Sequence, residues 1–124
     1  MEIKNFLSAF FFDDDTVCVR IFSDRKSEEP DYKGNKYSEK LSGIDALLPT
    51  LRQHNEKNRG VFFAVNSGGH TDEDITRINA QFVEMDSGSF EDQRAKIDAF
   101  PLSPSVIVKT QKSLHCYWLT QNAD

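Results

Sequence analysis

The stretch Gln81-Phe82-Val83-Glu84-Met85-Asp86 decides how the fold of this chain is interpreted. Its alternation of residue types predicts a β-strand, in which side chains two positions apart leave the same face. Glu84 and Asp86 would share one face, with Cβ atoms roughly 6.6 Å apart along the strand, while Val83 and Met85 would point into apolar packing. Two carboxylates at this spacing suit a pair of Mg²⁺ or Mn²⁺ ions. A surface strand with alternating acids is the competing interpretation, although the apolar neighbours predict a largely buried strand.

A second strand follows one helix later, as Ser113-Leu114-His115-Cys116-Tyr117-Trp118. Period-two alternation places Ser113 and His115 on one face of this strand. A hairpin closed just before the strand would set Thr110 across from Ser113. Hydroxyl, imidazole and ammonium groups would then form a cradle for a nucleoside triphosphate, made of Ser113, His115, Thr110 and a nearby lysine, Lys112 or Lys109. A histidine satisfied within the sheet is the alternative interpretation.

The composition limits the class of protein. A hydrophobic content of 38% over 124 residues, with ten Phe and one Trp, allows a modest core in one domain. The formal net charge of −5 argues against a generic basic nucleic-acid coat. Cys18 and Cys116 lie far apart in apolar runs, which predicts buried free thiols in a reducing compartment rather than a zinc site. Neither a signal peptide nor an apolar run of membrane-spanning length is recognised, so we expect a cytoplasmic protein without a membrane partner.

The remaining pattern predicts an α/β (α+β) fold of about five strands and three helices. Helical spacing of apolar residues indicates helices over residues 2–11, 43–57 and 89–99. Ser42 and Ser89 are the expected N-caps of the second and third, and Pro49 means that the second helix either kinks or begins late. Strands are predicted over residues 16–22, 61–65, 81–86, 105–110 and 114–120. The apolar run 61–65 is expected at the centre of the sheet.

Residues 23–40 are polar and carry charges of both signs, which predicts a loop or mobile flap. Interleaved aromatic and basic residues in this segment could grip single-stranded nucleic acid, namely Tyr32, Lys33, Lys36, Tyr37 and Lys40. A plain exposed loop is the alternative. His70, on a glycine-rich loop, could reach the site or remain exposed to solvent. Arg77 could pair with a carboxylate or with a phosphate.

From residue 61 onward, the sequence resembles the archaeo-eukaryotic primase superfamily, especially the primase-polymerase domains of plasmid replication proteins and phage primases. The matching segments are the two motif strands quoted above, together with residues 61–66, 74–75 and 104–110. The strand at 17–22 and the helix around 47–51 fit more loosely. The resemblance implies an RRM-like mixed sheet with flanking helices, which is part of a primase-polymerase core.

The resemblance also implies roles for individual residues. Glu84 and Asp86 would bind the catalytic Mg²⁺ or Mn²⁺ ions, and Ser113 and His115 would contact the incoming nucleotide. Glu84, Asp86 and His115 would be the catalytic residues. The implied reaction is nucleotidyl transfer on a single-stranded DNA template, in which a 3′-hydroxyl attacks the α-phosphate of an NTP or dNTP and pyrophosphate leaves.

Members of the superfamily need a third motif, an acidic residue downstream of the Ser-x-His strand, and Asp124 follows that strand too soon to supply it. We therefore expect residues 1–124 to be the N-terminal portion of a primase-polymerase catalytic domain, truncated before the third acidic motif. Alone, this portion is expected to be inactive or nearly so. The full-length enzyme would replicate a phage, plasmid or other mobile element in the cytoplasm of a bacterial or phage-infected cell. Many relatives carry a helicase domain downstream.

Two other functions stay open. One is a non-catalytic RRM-like domain that binds single-stranded nucleic acid and stacks bases on Phe62, Tyr117 or Trp118. The acidic balance and the lack of an RNP-type aromatic and basic signature weigh against this function. The other is a regulatory or structural domain in which the acidic pair and the histidine do no chemistry.

Overall fold

The computed structural model describes residues 3–23, 31–85 and 87–123. Over these ranges the chain forms six strands, three α-helices and two short 3-10 helices. It divides into two compact units, unit 1 (Met1–Ile78) and unit 2 (Asn79–Ala123). Each unit contains one small antiparallel sheet of three strands, which confirms the predicted α+β class. No helix in these ranges is long and apolar enough to cross a membrane.

Unit 1 is a sheet in the order β2-β1-β3, covered by helices on one face. The long apolar strand β1 is central and runs antiparallel to both neighbours. The elements in chain order are α1 (Ile3–Leu7), β1 (Thr16–Ser23), β2 (Asn35–Lys40), a 3-10 helix (Leu41–Ala46), α2 (Leu48–Glu56), β3 (Arg59–Phe63) and a second 3-10 helix (Asp72–Asp74).

The core of unit 1 forms where alternate residues of β1 meet the helices. Val17, Val19 and Ile21 share one face of the strand and are at most 3% exposed. The helices and turns of the unit contribute further buried apolar side chains: Leu7, Phe10, Phe11, Leu41, Ile44 and Leu51. Burial of this apolar surface is the main force that holds the unit together.

The loop predicted over residues 23–40 is wrong for 35–40, which form strand β2 and pair along β1; residues 24–30 lie outside the described part of the chain. β2 lacks an apolar alternation because it is an edge strand, and only Tyr37 and Glu39 on its inner face are partly buried. Tyr37 bonds across to the ring of His54 at 2.9 Å. The pairing surface of β1 therefore orders a segment whose own sequence signals a loop.

Two other expectations for unit 1 need correction. β3 lies at an edge of its sheet rather than at the centre, and Phe62 on it is 57% exposed. The predicted helix over 43–57 is a 3-10 helix followed by α2, which begins late with Pro49 in its first turn. Ser42 lies inside the 3-10 helix and caps neither element. Proline is tolerated in a first helical turn because the missing N–H would have no intrahelical partner there.

Unit 2 has the sheet order β4-β6-β5, with one helix against the sheet. Its elements are β4 (Ile78–Glu84), α3 (Phe90–Ala99), β5 (Val106–Lys109) and β6 (Leu114–Ala123). The expected cap is confirmed, because the Ser89 hydroxyl accepts the Asp92 N–H at 3.1 Å. The core is small and joins α3 to the inner sheet face through Ile97, Leu114 and Cys116, with Met85, Phe90, Ile107 and Trp118 packed around them.

Candidate functional site

The two motif strands are neighbours in unit 2, since β4 lies beside β6 in an antiparallel sheet. The N–H of Met85 donates to the carbonyl of Leu114 at 3.0 Å. The rings of Phe82 and Tyr117 have centroids 5.9 Å apart. Both pairs fit a single antiparallel register, in which a step forward on β4 matches a step back on β6.

This register sets Glu84 opposite His115. They occupy a non-hydrogen-bonded position of the ladder, where opposed Cβ atoms lie about 4.5–5.5 Å apart. Glu84 is exposed and His115 is half-buried. Across the described ranges, neither side chain makes a hydrogen bond or an ion pair with another residue. A carboxylate and an imidazole therefore face each other with their polar atoms open to a ligand.

The opposite face of this strand pair packs on α3 where Met85, Leu114 and Cys116 lie. Met85 contacts the buried cluster that contains Leu114 and Cys116. Both cysteines of the chain, Cys18 and Cys116, are buried free thiols, as the sequence predicted. Burial raises the pKa of the Cys116 thiol, and the Arg94 guanidinium partly offsets this shift. Alternation therefore separates the packing face of unit 2 from the polar face that carries Glu84 and His115.

The acidic strand is more exposed than predicted. Phe82 is 50% and Val83 45% exposed, since β4 lies at an edge of its sheet. The expectations of a largely buried strand and of apolar packing around Val83 are therefore wrong. An exposed carboxylate does not carry the desolvation cost of a buried one. Burial consequently gives no reason to require a bound cation at Glu84, and any cation site depends on how the ligands are placed.

Tyr117 reports the electrostatics of the polar face. Burial raises the pKa of its phenol, and the negative charge of Glu84 raises it further. Both effects oppose formation of the phenolate, one through loss of solvation and the other through charge repulsion. The Glu84 carboxylate is thus close enough to act on a group two residues beyond His115.

The β5–β6 hairpin presents Ser113. Thr110 lies across from it, as expected, and its N–H donates to the Ser113 carbonyl at 2.8 Å. The Thr110 hydroxyl bonds to the carbonyl of Ser113 at 3.1 Å and to its N–H at 3.0 Å. Thr110 therefore closes the turn with its side chain. Over the described part of the chain, the hydroxyl of Ser113 has no partner and remains free to meet a ligand.

Gln93, on α3, holds this hairpin in place and was not identified from the sequence. It is 1% exposed. Its Nε2 donates to the carbonyls of Gly88 and Lys112, both at 3.1 Å, and its Oε1 accepts the Leu114 N–H at 2.8 Å. These bonds tie the helix to the residues on either side of Ser113. One feature of the sequence could have identified Gln93. It is a polar residue on the same stripe of α3 as Phe90 and Ile97, which lie three positions before it and four positions after it.

The two lysines considered for the cradle are placed differently. Lys109 pairs with Leu114 in the β5–β6 register, so it lies on the packing face, and its ammonium is 4.3 Å from the centroid of the Phe90 ring. Val108 is the residue opposite His115, so Lys109 is not on the face that carries the proposed cradle. Lys112 is exposed in the turn next to Ser113. Of the two, Lys112 is the lysine positioned to approach a phosphate.

The metal ligands are only partly described. Asp86, the second predicted ligand, lies outside the described residues. No group of three or more His, Cys, Asp or Glu side chains able to hold a metal ion occurs over residues 3–23, 31–85 and 87–123. Glu84 offers carboxylate oxygens, the donors that Mg²⁺ and Mn²⁺ prefer. The chemistry of this donor fits the predicted ions, but Glu84 alone does not complete a site.

Three of the candidate residues in unit 1 make side-chain contacts within that unit. His70 bonds to the hydroxyl of Ser38 at 3.2 Å. Arg77 forms an ion pair with Asp15, so its partner is a carboxylate. In the segment expected to grip nucleic acid, the ring of Tyr32 carries the Arg59 guanidinium, 4.0 Å from its centroid.

Comparison with known proteins gives one structural match. No protein-family model matches the sequence, and no curated protein shows significant similarity to it. The chain is similar in structure to the AEP domain of the cyanophage S-2L primase-polymerase (PrimPol), with a TM-score of 0.75 and 28% sequence identity. The match covers 98% of this chain and 62% of that domain. The resemblance predicted from the two motif strands is therefore confirmed.

Proposed function

We propose that this chain, which has the fold of the archaeo-eukaryotic primase superfamily, is a primase-polymerase module. In this proposal it binds an NTP or dNTP on the polar face of unit 2. The observation that carries this proposal is the register that sets Glu84 opposite His115. A carboxylate and an imidazole on neighbouring strands and the Ser113 hydroxyl in the adjoining turn make no hydrogen bond or ion pair with the described residues. Packing requires none of the three groups, so a ligand is the better explanation for their placement.

Each residue has a proposed role on this face. Ser113 and His115 bind the phosphates of the nucleotide through hydroxyl and imidazole hydrogen bonds, and Lys112 adds a positive charge beside them. Thr110 shapes the turn that presents Ser113. Glu84, together with Asp86, holds Mg²⁺ or Mn²⁺. When bound, these ions neutralise phosphate charge and stabilise the attacking and leaving oxygens of nucleotidyl transfer.

The activity of the whole protein is also a proposal. The chain spans 62% of the length of the domain that it matches. We propose that residues 1–124 correspond to the N-terminal portion of such a catalytic domain, with the third acidic motif outside them. The proposed reaction of the full-length protein is template-directed extension of a 3′-hydroxyl on single-stranded DNA, in the replication of a phage, plasmid or other mobile element. Primer synthesis by residues 1–124 alone would contradict this division.

The test is a thermal-shift titration of the chain with Mn²⁺ and dNTP. At a nucleotide concentration about 100 times the dissociation constant, binding stabilises the folded state by about 2.7 kcal/mol. We expect a shift with both components that is lost in Glu84→Ala and Asp86→Ala and weakened in Ser113→Ala and His115→Ala. Glu91→Ala, an exposed acid in the first turn of α3, is the matched control. A nucleotide shift that all four site variants retain would exclude this face as the binding site.

The same thermal-shift assay, repeated with single-stranded DNA, tests the alternative of a non-catalytic RRM-like domain that binds single strands. Its proposed stacking residues are not equivalent in the structure. The indole N–H of Trp118 donates to the Leu102 carbonyl at 2.9 Å and its ring lies against Phe100, whereas Phe62 is exposed. Binding of single-stranded DNA without any metal-dependent nucleotide shift would favour this alternative. The absence of both responses would favour a structural or regulatory domain.

A further inference from the structure

The sheet of unit 1 has an outer face that the proposed nucleotide site does not use. Because Val17, Val19 and Ile21 point inward, Arg20 and Phe22 on β1 point outward. On β3, Phe63 contacts the aromatic residues of the core, so Phe62 is also outward, and it lies opposite Arg20 in the register. The side of the sheet away from the helices therefore presents aromatic and basic side chains together.

Two phenylalanine rings contact each other on this face. Phe22 is 44% and Phe62 57% exposed, and their centroids lie 5.6 Å apart at an interplanar angle of 61°. The Arg20 guanidinium lies 5.2 Å from the centroid of the Phe22 ring. The Phe62 ring lies over Gly60, where an added Cβ would come within 2.6 Å of it. Exposed aromatic rings beside a cation are suited to stacking with a base.

Two positive charges lie next to each other on this face. Arg20 and Lys36 are directly opposite each other in the β1–β2 register. Like charges in this position destabilise a sheet. In the described part of the chain, neither residue makes an ion pair that would relieve the repulsion. The chain as a whole has a formal net charge of −5, so two facing cations beside exposed aromatic rings indicate an anionic, aromatic ligand.

We propose that this outer face, formed by Arg20, Phe22, Lys36 and Phe62, binds single-stranded DNA. Bases would stack on the two phenylalanine rings, and backbone phosphates would lie between the two cations. Aromatic platforms flanked by basic residues bind single strands in this way without strong sequence preference. The inference rests on the proposed function for the identity of the strand, and it adds a contact surface separate from the nucleotide-binding residues of unit 2.

The experiment measures fluorescence anisotropy of a fluorescein-labelled oligothymidylate titrated with the chain. Alanine substitution of a base-stacking aromatic weakens binding by roughly 5- to 150-fold, and we expect this loss for Phe22→Ala and for Phe62→Ala. Phe12→Ala is the matched control, since Phe12 is 71% exposed in the same unit and the cation over its ring, Arg77, is already paired with Asp15. Equal thermal midpoints will show that the variants are folded.

Salt dependence tests the phosphate contacts separately. The logarithm of the affinity falls as the logarithm of the salt concentration rises. Removing one phosphate contact to a single strand makes the slope of this plot less steep by about 0.7. We expect this change for Arg20→Gln and for Lys36→Gln, but not for Lys57→Gln, an exposed lysine directly after α2. Unchanged slopes in both variants would contradict the proposed placement of the phosphates.

Two results would overturn the inference: no binding of the oligonucleotide by the unsubstituted chain, or wild-type affinity in the double variant Phe22→Ala/Phe62→Ala. Both are distinguishable from failure of the proposed function. In either case a nucleotide shift that depends on Glu84 would leave the unit 2 site intact. Loss of oligonucleotide binding in the double variant, with that nucleotide shift retained, would support the outer face as an independent site.

Discussion

The two sheets of this protein are stabilised in different ways. The central strand of unit 1, β1, is held by apolar side chains that are almost completely buried, and helices cover them. In the central strand of unit 2, β6, Leu114 and Cys116 are the buried core residues among positions 114–120, and a buried glutamine bonds to the first residue of the strand. Unit 1 therefore depends mainly on the hydrophobic effect, which is not directional, whereas unit 2 adds directional hydrogen bonds at the hairpin.

This difference bears on where the chemistry can be placed. Hydrogen bonds from Gln93 fix the residues around Ser113 to a specific position without covering the polar face of the sheet. A larger apolar core on that face would bury Glu84 and His115 and leave their polar atoms without partners. The proposed nucleotide site thus lies on a sheet that is anchored from its opposite face, by the bonds of Gln93.

The largest expected effect is on the stability of unit 1. Ile44 is fully buried, so Ile44→Ala removes apolar contacts and leaves a cavity. We expect the free energy of unfolding of this unit to fall by about 2–5 kcal/mol. Urea denaturation will measure this loss in the free energy of unfolding. Hydrogen exchange of the β1 amides will show that the loss occurs in unit 1. Ile3→Ala, at a residue that is 50% exposed, should change the stability by less than about 0.5 kcal/mol. Equal losses in the two variants would contradict this account of the core.

An intermediate effect is expected where unit 2 depends on hydrogen bonds. Gln93→Leu keeps a side chain of similar size but leaves two carbonyls and the Leu114 N–H without their partner. We expect a loss of about 1–3 kcal/mol, together with weaker nucleotide binding because Ser113 is no longer held in place. Trp118 is the only tryptophan and lies in this unit, so its fluorescence will follow the unfolding.

Gln53→Leu, at an exposed position of α2, is the matched control for the loss of a glutamine. It should leave both stability and nucleotide binding near the wild-type values. If Gln93→Leu lowered stability but bound nucleotide as the unsubstituted chain does, Gln93 would contribute to folding without positioning the site.

The smallest effect is a pH dependence on the polar face. Because the pKa of Tyr117 is raised in the folded state, its phenol stays protonated at pH values where the unfolded chain already ionises. The contribution of Tyr117 to the free energy of unfolding is fully present below its pKa in the unfolded chain, which is about 10 for tyrosine. This contribution is lost as the pH rises through the pKa of Tyr117 in the folded protein. Glu84→Gln removes the repulsion but keeps the burial, so the pKa of Tyr117 should fall only in part.

Ultraviolet titration of tyrosinate absorbance will measure this shift, and Tyr117→Phe will identify which transition belongs to Tyr117. An unchanged Tyr117 transition in Glu84→Gln would mean that the carboxylate does not act on the phenol, and would place Glu84 farther from Tyr117 than the β4–β6 register indicates.

Local sequence patterns predicted the elements whose side chains carry a strong signal of their own. The alternation in β1, the Ser89 cap of α3 and the two strands of the β5–β6 hairpin are all found in the structure. Elements that depend on a partner were not predictable in this way. β2 has no apolar alternation and is ordered by pairing with β1, and β3 is apolar although it lies at an edge.

The candidate site shows the same division. Period two by itself places Glu84 on one strand face and Ser113 with His115 on another, and it supports the superfamily resemblance. That Glu84 lies opposite His115 follows from the register between β4 and β6, which a single strand does not contain. The role of Gln93 was missed because its three bonds reach backbone groups distant in sequence, and no local pattern encodes them.

What the sequence by itself determined about this protein is which residue types occur at which period, and hence the strand faces, the cap of α3 and the order of the two motif strands. The tertiary structure decided which strands are neighbours, which lysine lies beside Ser113 rather than on the packing face, and which aromatic rings remain exposed. The physical reason is the separation along the chain of the residues that interact. Alternation and capping involve residues that are only a few positions apart. Pairing, burial and the opposition of Arg20 to Lys36 depend on chain segments that meet only after folding.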